Sequence, residues 1–272
     1  MTSGVRQIAL ETPFTDQKPG TSGLRKSSRH FATPHYLESF IEAILRTVPG
    51  VQGGTLVVGG DGRFGNREAI GVITRMAAAH GVGRIITTSG GILSTPAASN
   101  LIRQHQATAG IILSASHNPG GPDGDFGVKV NGANGGPAPE SLTDAIYACT
   151  QTLDGYSILE SAPVDLDAVG EQSVGGLSLQ VIDGVDDYIA LMQKLFDFDQ
   201  IKALIQDDFP IAFDAMHAVT GPYATRLLEG LLGAPAGTVR NGKPLENFGG
   251  GHPDPNLTYA HDLAELLMNS DA

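Results

Sequence analysis

The sequence predicts an α/β protein of mixed, mostly parallel sheet domains flanked by helices. Three observations carry that expectation. Short apolar runs at residues 55–61, 84–88 and 109–115 have the look of strands buried on both faces. Segments of helical character at 67–80 and 97–105 lie between them. The resulting βαβαβ order implies strands side by side and in parallel, with helices covering the sheet. The third observation is size, since 272 residues suffice for two domains, each with its own core. The boundary is expected near residue 190, dividing the chain into 1–190 and 191–272.

Along the chain, residues 1–34 show little periodicity. Lys18, Pro19, Gly20, Thr21, Ser22 and Gly23 are turn chemistry, followed by the basic Arg25, Lys26 and Arg29. A solvated loop and an anion site are both open readings there. The second would use backbone N–H groups around Gly23 and the Arg25 guanidinium. Residues 35–48 have helical spacing, with Leu37, Phe40, Ile41, Ile44, Leu45 and Val48 on one face and Pro34 as a start signal. After the strand at 55–61, Asp61 and Arg63 are open to two readings, helping to shape an active site or, the better one, a local ion pair holding a turn. Asn66 is the expected N-cap of the helix at 67–80.

Gly90, Gly91, Thr95 and Pro96 punctuate the approach to the helix at 97–105, and a helix at 139–151 closes the first unit. Residues 152–184 are polar, with a strand expected at 177–182, and an amphipathic segment follows at 185–196. The second unit restarts with a helix at 201–206, a strand at 210–214 and a helix at 221–232, in which Pro222 sits favourably early. His217 reads as a hydrogen-bonded structural residue. The spacing of His252 and Asp254 hints at a metal, but Pro253 and Pro255 around Asp254 make a rigid turn the better reading, ahead of a helix at 258–268.

Composition narrows the function classes. Lys and Arg total 17 against 29 Asp and Glu, a net charge of -12. A chain this acidic repels nucleic acid and anionic membranes over most of its surface, so neither is an expected partner. A local basic pocket for phosphate stays compatible with it. No apolar stretch approaches the roughly 18 residues of a spanning helix, and residues 1–14 lack the continuous apolar core of a signal peptide. Cys149 is the single cysteine, so no intrachain disulfide forms; it reads as an inert thiol on the helix at 139–151. The expected localisation is cytoplasmic.

The stretch at 109–131, AGIILSASHNPGGPDGDFGVKVN, organises the rest. A buried strand through Ile111, Ile112 and Leu113 ends at Ser114, Ala115, Ser116, His117 and Asn118, and a second short strand at 127–131 carries Lys129. Ligands of open α/β sheets sit beyond the carboxyl ends of the strands, so Ser116, His117 and Asn118 lie where a reactive group is displayed. The plainer alternative is a serine that merely serves the turn. A serine hydroxyl is a poor nucleophile unaided. One that receives and returns a phosphoryl group needs cations around the anionic oxygens, for which Arg25, Lys129 and His117 are candidates and Mg²⁺ supplies the rest. Asp123 and Asp125 invite a Mg²⁺ reading but are ordinary turn chemistry.

SASHNPGGPDGDFGVKVN (114–131) resembles the phosphoserine loop of the phosphohexomutases, in the phosphoglucomutase branch. KPGTSGLRK (18–26), GGDGRF (59–64) and GGHPDPNLTYA (250–260) resemble the same family, in the same order. The resemblance implies a phosphohexomutase domain I and an incomplete domain II. It implies that Ser116 carries the transferred phosphoryl group and, through its phosphate, ligates the metal. Arg25 and Lys129 would surround that phosphate and assist proton transfer, Arg25 and Ser116 would bind substrate and bisphosphate, and His117 would hydrogen-bond. Ser114, the rival nucleophile, matches a hydroxyl position that the family leaves unphosphorylated.

The implied reaction interconverts glucose 1-phosphate and glucose 6-phosphate through glucose 1,6-bisphosphate, with Mg²⁺ as cofactor and a phosphorylated hexose as substrate. The family's Asp-Gly-Asp-Gly-Asp-Arg metal loop, its sugar-recognition loop and its distal phosphate loop have no counterpart in this sequence, which matches about the first half of a four-domain protein. Residues 1–272 alone are therefore expected to be inactive or nearly so. Two alternatives remain: a non-catalytic binding or regulatory module retaining the loop, and a phosphomannomutase-type hexomutase. The long GGPDGDFG loop and the KPGTSGLRK opening look more like the glucose branch.

Overall fold

A computed structural model describes residues 4–20 and 22–269. Thr21 of the turn at 18–23, residues 1–3 of the N-terminal stretch and residues 270–272 lie outside the described residues. The chain opens with β1 (Val5–Ala9), β2 (Leu24–Ser27) and the short α1 (Ser28–Phe31). Then come α2 (Tyr36–Thr47), β3 (Thr55–Gly60), α3 (Asn66–Ala79), β4 (Arg84–Thr88), α4 (Thr95–Gln104) and β5 (Ala109–Leu113). β6 (Asp125–Gly132), α5 (Glu140–Thr150), β7 (Gly155–Leu159), β8 (Gly170–Val174) and β9 (Leu177–Ile182) complete the first unit. The remainder is α6 (Asp186–Leu195), α7 (Phe198–Gln206), β10 (Phe213–Asp214), α8 (Thr220–Ala224), β11 (Val239–Arg240) and α9 (His261–Asn269).

The expected mixed sheet is present, in the order β2-β6-β5-β3-β4-β9-β8. Its centre, β5-β3-β4-β9, is parallel, as buried apolar strands linked by helices must be. Its two margins are antiparallel, because the loop at 114–124 turns the chain straight back from β5 into β6 and a tight turn returns β8 to β9. β1 and β7 pair antiparallel as a separate ribbon. Neither they nor β8 is signalled by an apolar run. The β1–β7 ribbon is held partly by polar contacts such as Gln7 Nε2 donating to Ser157 Oγ at 2.8 Å.

Helix α2 buries Tyr36, Phe40, Ile41, Ile44 and Leu45, the face that the spacing predicts. With α3 and α5 it covers one side of the sheet, where Ile70, Ile73, Ile111 and Leu113 meet. Helices α4 and α6 cover the other side against Val57, Ile86 and Ile112. The cap of α3 differs from expectation. Gly65, at φ +84, takes the cap position and Asn66 becomes the first helical residue. A left-handed cap favours glycine, and the Asn66 amide is used elsewhere, donating to Gly91 O at 3.2 Å. Ser94 caps α4 by accepting from Ala97 N, with Pro96 in the first turn.

The second unit is thinner. The strand expected at 210–214 shrinks to Phe213–Asp214, paired in parallel with Val239–Arg240. The helix expected at 221–232 becomes α8 followed by a π-helical run at Thr225–Leu231. α9 starts later than residue 258, because Asn256 Oδ1 accepts from Thr258 N (2.8 Å) and Tyr259 N (3.2 Å) and holds that stretch as a turn. Buried Tyr223 joins the core against α4, its hydroxyl accepting from Ser94 N at 3.2 Å. Among the described residues no helix is long and apolar enough to cross a membrane.

Candidate active site

Ser116 stands at the carboxyl end of the central strand β5, exposed, with φ +60. That left-handed backbone is uncommon for a residue other than glycine, and two hydrogen bonds fix it. Its N–H donates to Ser114 Oγ at 3.0 Å, and its carbonyl accepts from Arg63 Nη2 at 2.9 Å. Ser114 is 7% exposed and its oxygen is engaged in this bond, so of the two serines Ser116 is the exposed one. The loop beyond is tied down as well. Asn118 Nδ2 donates to Asp125 Oδ2 at 2.8 Å, and Asp125 N donates to Pro119 O at 2.9 Å.

Arg63 is the buried anchor. Its side chain is 0% exposed, a placement that requires its N–H groups to be paired. Nε donates to Asp61 Oδ1 at 2.9 Å and Nη2 to Asp61 Oδ2 at 2.9 Å, the ion pair expected from sequence. Nη1 also reaches Asp125 O at 2.7 Å. With its bond to Ser116 O, one guanidinium therefore joins the β3 loop, the Ser116 loop and the start of β6.

Arg25 lies on β2 opposite Gly127 of β6. A Cβ on Gly127 would collide with Ser114 O and stand 3.3 Å from Arg25 Cγ, so glycine lets the arginine stem lie against the base of the loop. Arg25 Nε is buried and finds no partner among the described residues. A buried cationic donor without an acceptor is a feature that calls for a ligand, and an anion suits it. Lys129, half-buried on β6, lies on the same face as Gly127. Burial lowers its pKa from the ordinary lysine value, and neighbouring Arg25 and Arg63 lower it further against the opposing pull of Asp61. A lysine so placed gives up a proton more readily than one in water.

Ser116, His117, Ser114 and Asp61 share a cleft of about 620 Å³ with Asp214, Met216, Thr220 and Asp254 of the second unit. His117 is exposed there. Lys129 lines a different hollow of about 210 Å³ with Gly20, Gly23, Thr95 and Ser99. The fold thus brings Ser116 and His117 into one cavity and leaves Lys129 in another. The described residues do not fit a magnesium site. No three His, Cys, Asp or Glu side chains among them converge on a point. Asp61 is held by Arg63, Asp125 by Asn118, and Asp254 accepts from Asn256 Nδ2 at 2.8 Å. A phosphate on Ser116 would supply a single donor group.

His217 has the structural role expected of it, its Nδ1 bonded to Lys243 O at 3.1 Å. His252 stacks on Tyr259, ring centroids 4.2 Å apart, and Asp123 pairs with Arg29 at the surface. Cys149 is half-buried, and burial raises its thiol pKa. The sequence reading holds Ser114 only as a rival nucleophile and does not single out residues 244–249. Ser114 works as a hydrogen-bond acceptor for the loop, and residues 244–249 press on it from the second unit. The latter act partly through backbone, which leaves little trace in side-chain type.

The phosphoglucomutase/phosphomannomutase alpha/beta/alpha domain I profile matches residues 16–157. A phosphoglucomutase of Rhizobium radiobacter is 55% identical over 260 residues, covering 96% of this chain and 48% of the relative. Phosphoglucomutase-1 of Oryctolagus cuniculus is 48% identical, with 98% of this chain and 50% of the relative covered. Among solved structures, the open form of the Paramecium exocytosis-sensitive phosphoprotein pp63/parafusin, a phosphoglucomutase, superposes at TM-score 0.94 with 43% identity. That match covers 98% of this chain and 51% of the other. The chain thus spans about half the length of these relatives. Profile, identity and fold agree, and the chain belongs to the phosphoglucomutase/phosphomannomutase family.

Proposed function

We propose that this chain is the phosphoserine-bearing part of a phosphoglucomutase, which interconverts glucose 1-phosphate and glucose 6-phosphate through glucose 1,6-bisphosphate. In this reading residues 1–190 form domain I and residues 191–272 an incomplete domain II. The protein acts in the cytoplasm on a phosphorylated hexose, without nucleic acid or membrane partners. The carrying observation is the exposed Ser116, its backbone held at φ +60, together with an Arg25 Nε that is buried and has no partner among the described residues.

In the forward half-reaction the P–O bond to Ser116 Oγ breaks, and a new P–O bond forms to a sugar hydroxyl, which loses its proton. The bisphosphate then returns its other phosphoryl group to Ser116, and the freed sugar oxygen regains a proton. Positioning and charge neutralisation dominate such transfers. Arg25 holds anionic oxygens, Lys129 is suited to exchange the proton, Ser114 and Arg63 fix the direction of the serine, and His117 hydrogen-bonds at the cleft wall. Mg²⁺ and glucose 1,6-bisphosphate are the cofactors of this reading. The metal would supply further charge neutralisation.

In the full-length protein, Ser116→Ala should lower mutase turnover by a factor on the order of 10⁴ or more, while Ser114→Ala, which removes only the acceptor of the Ser116 N–H, should lower it by a far smaller factor, about tenfold. Turnover that survives Ser116→Ala, or mannose 1-phosphate outcompeting glucose 1-phosphate in the wild type, would contradict the reading. A folded wild type without turnover would favour the second reading, a binding module that retains the loop. The lack of a metal-ligand set among the described residues is the observation on its side.

A further inference from the structure

The segment 244–249 of the second unit sits on the loops that carry Arg63 and Ser116. The carbonyl oxygen of Glu246 accepts from Phe64 N at 2.9 Å and from Gly121 N at 3.1 Å, so one backbone atom ties the two loops together. Beside it the Phe248 ring centroid lies 5.3 Å from the guanidinium carbon of Arg63, the cation that holds the Ser116 carbonyl. Phe248 is 3% exposed and has φ +52. A bulky residue keeps a left-handed backbone only where its surroundings over-determine it, and such residues gather at functional sites.

The surroundings that fix it come from both sides. Phe248 N donates to Leu245 O and Leu245 N to His217 O, each at 3.0 Å. His217, itself at φ +53, backs Gly249, where a Cβ would stand 2.6 Å from the imidazole Cδ2. On the loop side Gly120 leaves the room required. A Cβ there would stand 2.6 Å from Glu246 O and 2.8 Å from the Phe248 ring.

We propose that residues 246–248 are a latch by which the second unit positions Ser116 for phosphoryl transfer, with Phe248 acting as a positioning residue through Arg63. The proposal rests on Ser116 being the phosphoryl acceptor. An aromatic face over a buried guanidinium fixes its plane, the plane fixes the direction of the N–H aimed at Ser116 O, and that carbonyl fixes the serine's backbone and hydroxyl. The second unit thereby acts on the reacting serine without touching it.

The test is single-turnover phosphorylation of the full-length protein by glucose 1,6-bisphosphate, followed by intact mass and peptide mapping. Phe248→Ala should lower the rate constant at saturating bisphosphate roughly tenfold, leaving the half-saturating concentration within about twofold and the final amplitude complete. Gly120→Ala breaks the same contact from the loop side at a backbone angle open to alanine, and should shift the rate constant in the same direction even where Phe248→Ala fails to fold. Amplitude lost at an unchanged rate constant would mark a purely structural role and overturn the latch. So would rate constants equal to wild type in the folded variants. A wild type that takes no phosphoryl group on Ser116 would overturn the underlying reading and the latch with it, an outcome visible before any variant is made.

Discussion

The two units of this chain bury their helices very differently. Helix α2 of the first unit sinks most of its length into the core, from Tyr36 to Leu45. Helix α7 of the second buries only Ile205, within a cluster completed by Leu232 and Ala234. Leu204, Phe209, Leu257 and Met268, all in the second unit, stay exposed. The first unit therefore has the buried surface to hold Ser116, Arg25 and Arg63 rigidly, at about 25 cal/mol per Å² of apolar area removed from water. The second leans on the first through Tyr223, Arg226 and the segment at 244–249. The difference teaches where precision comes from: the Ser116 loop is fixed by the well-packed sheet, and the looser unit contributes at a few defined contacts.

That contrast breaks most readily in the cores. Ile73, 0% exposed in the first-unit core, should cost about 2–5 kcal/mol on substitution by alanine. Ile205→Ala should fall at or below the bottom of that range, about 2 kcal/mol, since its sparse neighbourhood can relax. Denaturant unfolding of both variants checks this. Equal losses, or a single shared transition that shifts by the same amount, would show that the two units are one cooperative core.

A smaller effect sharpens the comparison through pH. Glu42, with its side chain 1% exposed, pairs with His80 Nε2 at 2.8 Å and Arg46 Nε at 2.7 Å, and accepts from Ser157 N at 3.1 Å. Burial alone would raise its pKa, but these partners outweigh it and hold the carboxyl below its ordinary 4.5. A carboxylate depressed in the folded state stabilises the fold above the unfolded value and loses that contribution as pH falls through the folded one. Glu42→Gln should therefore cost about 1.5–3 kcal/mol near neutrality and flatten the decline of Tm below about pH 4.5. An unchanged acid limb would remove Glu42 from the account.

The smallest effect lies between the units. Arg226 reaches Asp183 and Asp186 with partners that remain substantially exposed, so Arg226→Ala should cost under about 1 kcal/mol and less in high salt. A larger, salt-insensitive loss would mean that the units are bound more tightly than their packing shows.

What was legible in the sequence follows the same division. Strands β3, β4 and β5 announced themselves because strands buried on both faces must be continuously apolar. Ser116, Arg25 and Lys129 stood out as reactive or cationic residues in glycine-rich turns and beside the strand carrying them. β1 and β7 are silent, since their pairing joins segments as distant as Gln7 and Ser157, and β8 is silent because it is a mostly exposed polar edge strand. The cap of α3 falls at Gly65, one residue before the expected Asn66, because its left-handed backbone, φ +84, favours glycine and side-chain type alone does not announce such a conformation. The work of Glu246 is done by its carbonyl oxygen, which every residue has, so no sequence reading could single it out. In the second unit short strands and a π-helical run replaced the regular elements that its apolar spacing suggested, as expected where tertiary packing is thin.

The most direct test of the central claim is where the phosphoryl group resides. The intact protein from its native source, charged with glucose 1,6-bisphosphate and digested, should carry one phosphoryl group on the peptide spanning the β5–β6 loop, placed by fragmentation on Ser116. A phosphoryl group on Ser114 or on any residue outside that loop, or a protein that takes none, would contradict the account.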